Sequence, residues 1–437
     1  MFIALLNQDW FAEELRAGGH RVVTIGLGKN LDVVLPAPLI HIDTIVKENL
    51  DGQWPDVFLI HDNSAPICVV GLEEREVPTI FYSVDAHHHY DLHSDLGKVF
   101  DYMLVAQKDY IPLMQRGSDA PLEWMPLWAS RYVEPEPEKE FGAVFVGSLK
   151  RELNPKRVEF FEALEKKAPV FFETGSWWNI FSKSEIVINQ TVKKDLNFRV
   201  FEAMICGAML LTERTNNGLL ELFEEGRHLV TYEKGNVDEA AEKIRYYLSH
   251  RDEARAIANA GREKVLQEHL IQHRANHIIE LCKKVRKREV RPRKFFGWMS
   301  NCNGLTTRLL KIDDVLAKQA NVHALKAAEA GLARGEPLDE ELTYVFVFAC
   351  CSFDRIHQRT AGLQLMQQAL EKYPDRALLR LGVVRGLLNV GMVEEARKIA
   401  CVMNPDHPEI IFRGAENVIV KLLNAETEPM DGPPPVG

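Results

Sequence analysis

Short apolar runs alternate with amphipathic stretches through the first third of the chain. Phe2–Leu6 reads as a buried strand, Trp10–Ala17 as a helix stopped by Gly18-Gly19, and Arg21–Ile25 as a second strand. Val57–His61, Thr79–Val84 and Tyr102–Ala106 repeat the theme, each a brief β-rich run followed by polar or helical sequence. Strands alternating with helices at this spacing predict a parallel sheet with helices on both faces. The run Val133-Glu-Pro-Glu-Pro-Glu-Lys-Glu140 breaks the pattern. Its prolines and like charges favour an extended, solvated connector, which bounds a first domain at 1–135.

The alternation restarts in a second unit, 140–285. Ala143–Val146, Val170–Phe172, Glu185–Asn189 and Met209–Thr212 read as strands. Arg157–Lys167, Phe198–Cys206 and Gly218–Glu224 read as helices between or after them, and long helices follow over Val237–Ser249 and Asp252–Lys284. Two Rossmann-like halves of similar size predict a ligand cleft beyond the carboxyl ends of their strands. Residues 283–294, KKVRKREVRPRK, hold eight basic side chains and one acid. They are expected to form a solvated helix end and a basic linker, 286–309. Beyond 310 the strand signal stops. Gly362 and Ala396 lie 34 residues apart, as do Pro374 and Pro408. With Phe346, Cys350, Phe353 and Ala369 they fall on the spacing of a tetratricopeptide (TPR) repeat, so 310–425 is predicted to be an all-α, TPR-like module. The tail 426–437, rich in proline, is predicted to be disordered.

Composition narrows the function classes. Of 437 residues, 46% are apolar and 27% charged, an ordinary globular mix. A net charge of −10 makes attraction to nucleic acid or an anionic membrane unexpected. No apolar run approaches the roughly 18 residues of a spanning helix, and the start, MFIALLNQDW, lacks the basic segment of a secretory signal. Seven cysteines without a C-x-x-C spacing argue against a disulfide framework or a thiolate zinc site. The expectation is a soluble, cytoplasmic protein.

One stretch carries most of the chemistry. It runs Asn197-Phe-Arg-Val-Phe-Glu-Ala-Met-Ile-Cys-Gly-Ala208, then Asn216-Asn-Gly-Leu-Leu-Glu221 and Gly226-Arg-His. In these spaced elements the sequence resembles the group-1 glycosyltransferases of the GT-B fold, most closely the spore-maturation-protein-like variety. The resemblance covers about 140–280 well and 1–135 only in outline. It implies an α/β protein of two Rossmann-like parallel-sheet domains facing a cleft, with the acceptor held by 1–135 and a nucleotide-sugar donor by 140–285. It also implies site roles. Glu202 would accept hydrogen bonds from the ribose hydroxyls, a task suited to an acceptor-only carboxylate. Asn217, Gly218 and Leu219 open a short helix whose free N–H groups would meet a diphosphate. Arg199 and Arg157 would supply fixed positive charge to the leaving group, with Lys193 and Lys194 as competitors. Asn197 and Gly147 complete the donor set. The alternative for each is an ordinary capped helix or a solvated side chain.

Departures limit the inference. Lys194 stands where many retaining relatives carry a Glu, Ser148 follows Val146-Gly147 where they carry Arg, and Asn7-Gln8-Asp9 replaces their glycine-rich turn. The sugar and the stereochemical course therefore do not carry over. In the first unit, Ser83-Val-Asp-Ala-His-His-His-Tyr-Asp91 follows a strand directly. Asp85 is the first candidate for the catalytic base that takes a proton from the acceptor hydroxyl, and His87 the second. An extended loop would also align Asp85, His87, His89 and Asp91 for a metal, but no metal is expected, and no cofactor beyond the nucleotide-sugar co-substrate. The aromatic pairs Trp124/Trp128 and Trp177/Trp178 suit either stacking or the core. The expected partners are a nucleotide-sugar and, through 310–425, a protein acceptor. A polysaccharide or lipid-linked acceptor, or a non-catalytic GT-B-derived binding scaffold, are the alternatives.

Overall fold

The structure is a computed structural model that describes residues 1–424; the expected tail lies outside the described residues. The first unit forms a seven-stranded sheet, parallel throughout. Its spatial order is Val33–Val34, Arg21–Gly26, Phe2–Leu6, Val57–His61, Thr79–Ser83, Tyr102–Val105 and Leu122–Trp124. The central strands Val57–His61 and Thr79–Ser83 are buried at every position, as a sheet covered on both faces requires. Strand order reverses between Phe2–Leu6 and Val57–His61, so the loops after these strands diverge and leave a crevice.

The second unit repeats the logic with five parallel strands in the order Val170–Glu173, Phe141–Val146, Ser184–Asn189, Met209–Glu213 and Val230–Tyr232. Its reversal falls between Phe141–Val146 and Ser184–Asn189. The long helix expected over 252–284 is two, Arg251–Glu268 and Ile271–Lys284. The break is stabilised where the Leu270 N–H donates to His273 Nδ1 at 3.0 Å. An apolar cluster joins the two sheets: Phe11, Leu15, Tyr82 and Trp128 meet Val200, Phe201, Met204 and Ile278. Trp128 sits edge-on to Phe198 with ring centroids 5.2 Å apart.

The region 286–309 is not the solvated basic linker that its charge suggests. Arg288 donates to the carbonyls of Asp119 at 2.6 Å and Phe100 at 2.7 Å, and Arg291 to that of Val99 at 3.0 Å. Arg293 bonds the carboxylates of Asp119 and Asp339, and Lys287 Nζ lies 3.3 Å from Asp101. The helix Ala86–Val99 ends here, and a helix end leaves carbonyls without intrahelical donors. The basic run supplies those donors and the charge that a helix C-terminus favours. Burial pulls Lys287 down to about 8.

Most of the remaining segment is a helix, Lys294–Leu309, laid across Ala86–Val99. Gly297 sits at the crossing, where a Cβ would stand 2.5 Å from the Asp95 carbonyl. Asn301, fully buried, both accepts from the Ile67 N–H at 2.7 Å and donates to its carbonyl at 3.1 Å. Phe296, Trp298, Met299 and Cys302 share one core with Leu96, Val99 and Phe100 of the first domain, and that core continues into Phe346 and Cys350. The C-terminal region is therefore fused to the first domain rather than tethered to it. Within it, Glu340–His357, Ala361–Lys372, Ala377–Asn389 and Val393–Ala400 pack as successive neighbours. Gly362 and Ala396, 34 residues apart, are both buried, and Asp354 caps the Gly362 and Leu363 N–H groups at 2.7 Å each.

A fused core makes a measurable claim. Trp298 is 1% exposed, so Trp298→Ala should lower stability by about 3–5 kcal/mol in urea unfolding. A loss below about 1 kcal/mol would show that the docked helix adds little to the first domain.

Candidate functional site

Both strand-order reversals open toward the same gap. The first crevice, about 330 Å³, is bordered by Gln8, Trp10, Asp62, Ser64, Asp85 and His87 of the first domain and by Asp195, Asn197 and Phe198 of the second. The second, about 700 Å³, is bordered by Val146–Lys150, Thr174, Gly175, Trp177, Arg199 and Glu202. The helix Phe198–Ile205 borders both.

In the first domain the segment expected to be a loop is a helix, Ala86–Val99, kinked at His89. Asp85 is its N-cap residue, and alternate residues point to different sides of a helix. The alignment that a metal reading requires is thus lost. Among the described residues no group of three or more His, Cys, Asp or Glu is placed to hold a metal ion. Asp85 accepts from Ser64 Oγ at 2.8 Å. His87 is 8% exposed, and its Nδ1 has no hydrogen-bond partner. Burial, helped by His88 and Lys193, pulls its imidazole down to about 4, so it is neutral at physiological pH.

Sequence reasoning missed Asp62, although His61-Asp-Asn-Ser64, a polar cluster directly after an apolar strand, carried the signal. Asp62 Oδ2 accepts the N–H groups of Val84 at 3.1 Å and Asp85 at 2.7 Å, while Oδ1 accepts that of Ser64 at 2.7 Å. His93 Nε2 lies 3.4 Å away. Burial works to raise this carboxyl, but His93 and the surrounding N–H groups outweigh it and hold it at about 2.

In the second domain Arg199 donates to Asn189 Oδ1 at 2.9 Å and to the Val146 carbonyl at 2.8 Å, with its guanidinium 4.8 Å above the Phe145 ring. Gly147 makes room for it, since a Cβ there would lie 2.8 Å from Arg199 Nη2. Arg157 approaches the same ring, 5.7 Å from its centroid, and is anchored on Gln190 by its side-chain and backbone oxygens at 3.1 and 3.0 Å. Burial, reinforced by Arg157, lowers Arg199 to about 10, which leaves it charged. Glu202 lies one helical turn from Arg199. Burial raises it to about 7, with Arg199 opposing only in part. Its one hydrogen bond among the described residues is from Ser130 Oγ, at 3.4 Å. Asn197 precedes the helix, and its Oδ1 is buried without a partner.

Asn217, Gly218 and Leu219 are placed differently from the rest of the expected donor set. Asn217, 2% exposed, accepts from the Asp109 N–H at 2.9 Å and donates to Gln107 Oε1 and to the Lys194 carbonyl. Gly218 has φ +81° and lies against Trp124, whose ring a Cβ would strike. Leu219 is in the core, and the helix it opens has only four residues. These residues form a seam between the domains. Lys193 and Lys194 form a turn with φ of +52° and +66°, a conformation that non-glycine residues seldom adopt. Asp195 and Asn217 hold the turn in place, and Lys193 Nζ reaches the His87 carbonyl at 3.1 Å. Of the aromatic pairs, Trp128 is core, Trp124 belongs to the seam, Trp177 lines the second crevice and Trp178 stacks under Arg131.

Residues 151–280, less than a third of the chain, match a family model described as glycosyl transferase-like. No curated protein matches the chain by sequence. Among solved structures, HepE of Anabaena in complex with UDP and glucose superposes with a TM-score of 0.50 at 11% identity, over 65% of this chain and 100% of that one. The sucrose-phosphate synthase of Thermosynechococcus elongatus also gives 0.50, at 12% identity, over 65% of this chain and 98% of its own. The shared fold is GT-B: two parallel-sheet α/β domains facing a cleft, here followed by helices.

The seam and a phosphate site predict different outcomes for Asn217→Ala. As a seam residue its loss leaves the Asp109 N–H without its acceptor, while Gln107 and the Lys194 carbonyl keep Leu196 and Thr215 as donors, so stability should fall by about 1–2 kcal/mol with nucleotide affinity within twofold of the parent. A drop in UDP affinity at unchanged stability, measured by calorimetry and urea unfolding, would return Asn217 to the diphosphate.

Proposed function

We propose that the protein is a glycosyltransferase that moves a sugar from a nucleotide-sugar donor to an acceptor hydroxyl. The observation that carries this reading is Glu202, a half-buried and almost unpartnered carboxylate lining the second crevice, inside the family-matched segment. A carboxylate short of donors there suits a pair of vicinal hydroxyls such as those of a ribose. HepE, which shares the fold, has been captured with UDP and with UDP-glucose, and this motivates a uridine-diphosphate hexose as the first donor to test.

Within this reading the charge that develops on the leaving diphosphate is met by Arg199 and Arg157, with Lys193 nearby, and no cofactor is invoked. In a direct displacement the acceptor oxygen bonds to the anomeric carbon as the bond to phosphate breaks, and Asp85 takes the acceptor's proton. His87, held neutral and near 4, is no stronger a base than a carboxylate. It serves better as a hydrogen-bonding wall, which keeps Asp85 first. Exposed Tyr344, Phe348 and Phe412 on the helical region offer a surface for a protein acceptor. Seven free thiols suit a reducing cytoplasm, and no described helix is long and apolar enough to cross a membrane.

Two measurements test the assignment. If only ionised Glu202 binds the donor, a carboxyl at about 7 makes UDP-glucose affinity rise about tenfold from pH 6 to pH 8, and Glu202→Gln flattens that slope. A flat profile in the parent protein would remove the ribose role. Asp85→Asn should lower sugar transfer by about 10²–10⁴-fold with donor affinity retained, and unchanged transfer would dismiss it as the base.

A further inference from the structure

Asp62 stands directly behind Asp85 and holds both loops that form the acceptor side. Its two oxygens accept three backbone N–H groups, from Ser64, Val84 and Asp85, at 2.7 to 3.1 Å. Those amides belong to the ends of two adjacent strands, Val57–His61 and Thr79–Ser83. Ser64 is bent to φ +56°, a strained conformation for a serine that persists only where its surroundings enforce it. In that conformation Ser64 Oγ donates to the Asp85 carboxylate at 2.8 Å. Behind Asp62, His93 Nε2 lies 3.4 Å from Oδ1, and His93 Nδ1 is 2.8 Å from Ser83 Oγ. Ser83, His93 and Asp62 thus form a chain, but Ser83 is fully buried and does not line the crevice, which rules it out as a nucleophile there.

We propose that Asp62 is the positioning residue of the acceptor side: its carboxylate clamps the loops 62–64 and 84–85 and, through Ser64, fixes the aim of the Asp85 carboxylate. The proposal rests on Asp85 being the base. The chemistry requires a carboxylate in particular. An amide in its place has one oxygen, so its NH2 must face either the Ser64 N–H or the N–H pair of Val84 and Asp85. One loop is then released whichever way the amide turns. The link from Asp62 to the reaction runs through Ser64 and the Asp85 backbone, without contact to the reacting atoms.

The test uses the full-length chain with UDP-glucose as donor and water or a supplied polyol as acceptor, comparing Asp62→Asn, Asp85→Asn, Ser64→Ala and the double variant of Asp62 and Asp85. Asp62→Asn is expected to lower kcat by 30- to 100-fold with UDP-glucose affinity within twofold, and Ser64→Ala by three- to tenfold. The double variant should be no slower than Asp85→Asn alone, because a misaimed base and a missing base are the same defect. A purely structural Asp62 would instead multiply the two losses. Hydrogen exchange followed by mass spectrometry gives a readout independent of turnover: segments 62–66 and 83–87 should exchange faster in Asp62→Asn while the second domain is unchanged. Multiplying losses, a kcat near that of the parent when Asp85→Asn is inert, or unchanged exchange would each overturn the proposal. If Asp85→Asn keeps full activity, the base assignment fails instead, and the exchange result alone decides whether Asp62 clamps the loops.

Discussion

The close helix crossing at Gly297 is the constraint on which the docking of the C-terminal region depends. A Cβ there would stand 2.5 Å from the Asp95 carbonyl and 2.9 Å from Lys98 Cβ, so glycine lets the helix 294–309 lie this near the helix 86–99. Around the crossing, Lys98 and Asp95 form an ion pair that is almost wholly buried, with Nζ and Oδ1 2.5 Å apart. At the far end, Arg288 and Arg291 cap the last carbonyls. The C-terminal half of the helix 86–99, beyond its kink at His89, is therefore held by sequence about two hundred residues downstream. The other end is held separately, where the Asp62 carboxylate accepts the Asp85 N–H.

The second crevice is built by a different device. Two arginines approach one phenylalanine ring, and both are tied by hydrogen bonds to neutral oxygens. Among the described residues neither makes an ion pair with a carboxylate, and Asp195, Glu202 and Glu213 act on them only from farther off. Two like charges kept close in a half-buried site repel, and that repulsion is relieved when an anion enters between or beside them. Preorganised positive charge of this kind needs no rearrangement when negative charge develops on a ligand.

The sequence made the sheets legible because parallel strands buried on both faces read as unbroken apolar runs, as in Val57–His61 and Val144–Val146. Glu202 and Arg199 were singled out because several spaced elements agreed in order, and the fold brings both to one crevice. What failed was long-range. The run 283–294 reads as solvated on its own, and only the uncapped end of a helix starting at Asp85 shows why it is not. Asn217 and Gly218 read as a helix start over a ligand, and only the positions of Gln107 and Trp124 show that they close a seam. The polar cluster after the strand marked the place of Asp62 but not its role, because that role lies in amides 22 and 23 positions away, and amides carry no mark in a sequence.

Two desolvated carboxylates, Asp62 buried in one domain and Glu202 half-buried in the other, show how desolvation alone does not set chemistry. Asp62 is surrounded by N–H donors and stays ionised down to about 2, so its negative charge is constant across the physiological range. Glu202 has one long bond from Ser130 and rises to about 7, so its charge is still undecided at neutral pH. The difference is the count of donors, since desolvation acts on both in the same direction. A carboxylate whose donors come from the fold has finished its work when the chain folds. A carboxylate left short of donors can be completed from outside, and a ligand that brings two hydroxyls both satisfies and ionises it. The donor deficit at Glu202, set against the saturation at Asp62, separates a group open to an outside partner from a group the fold has already satisfied.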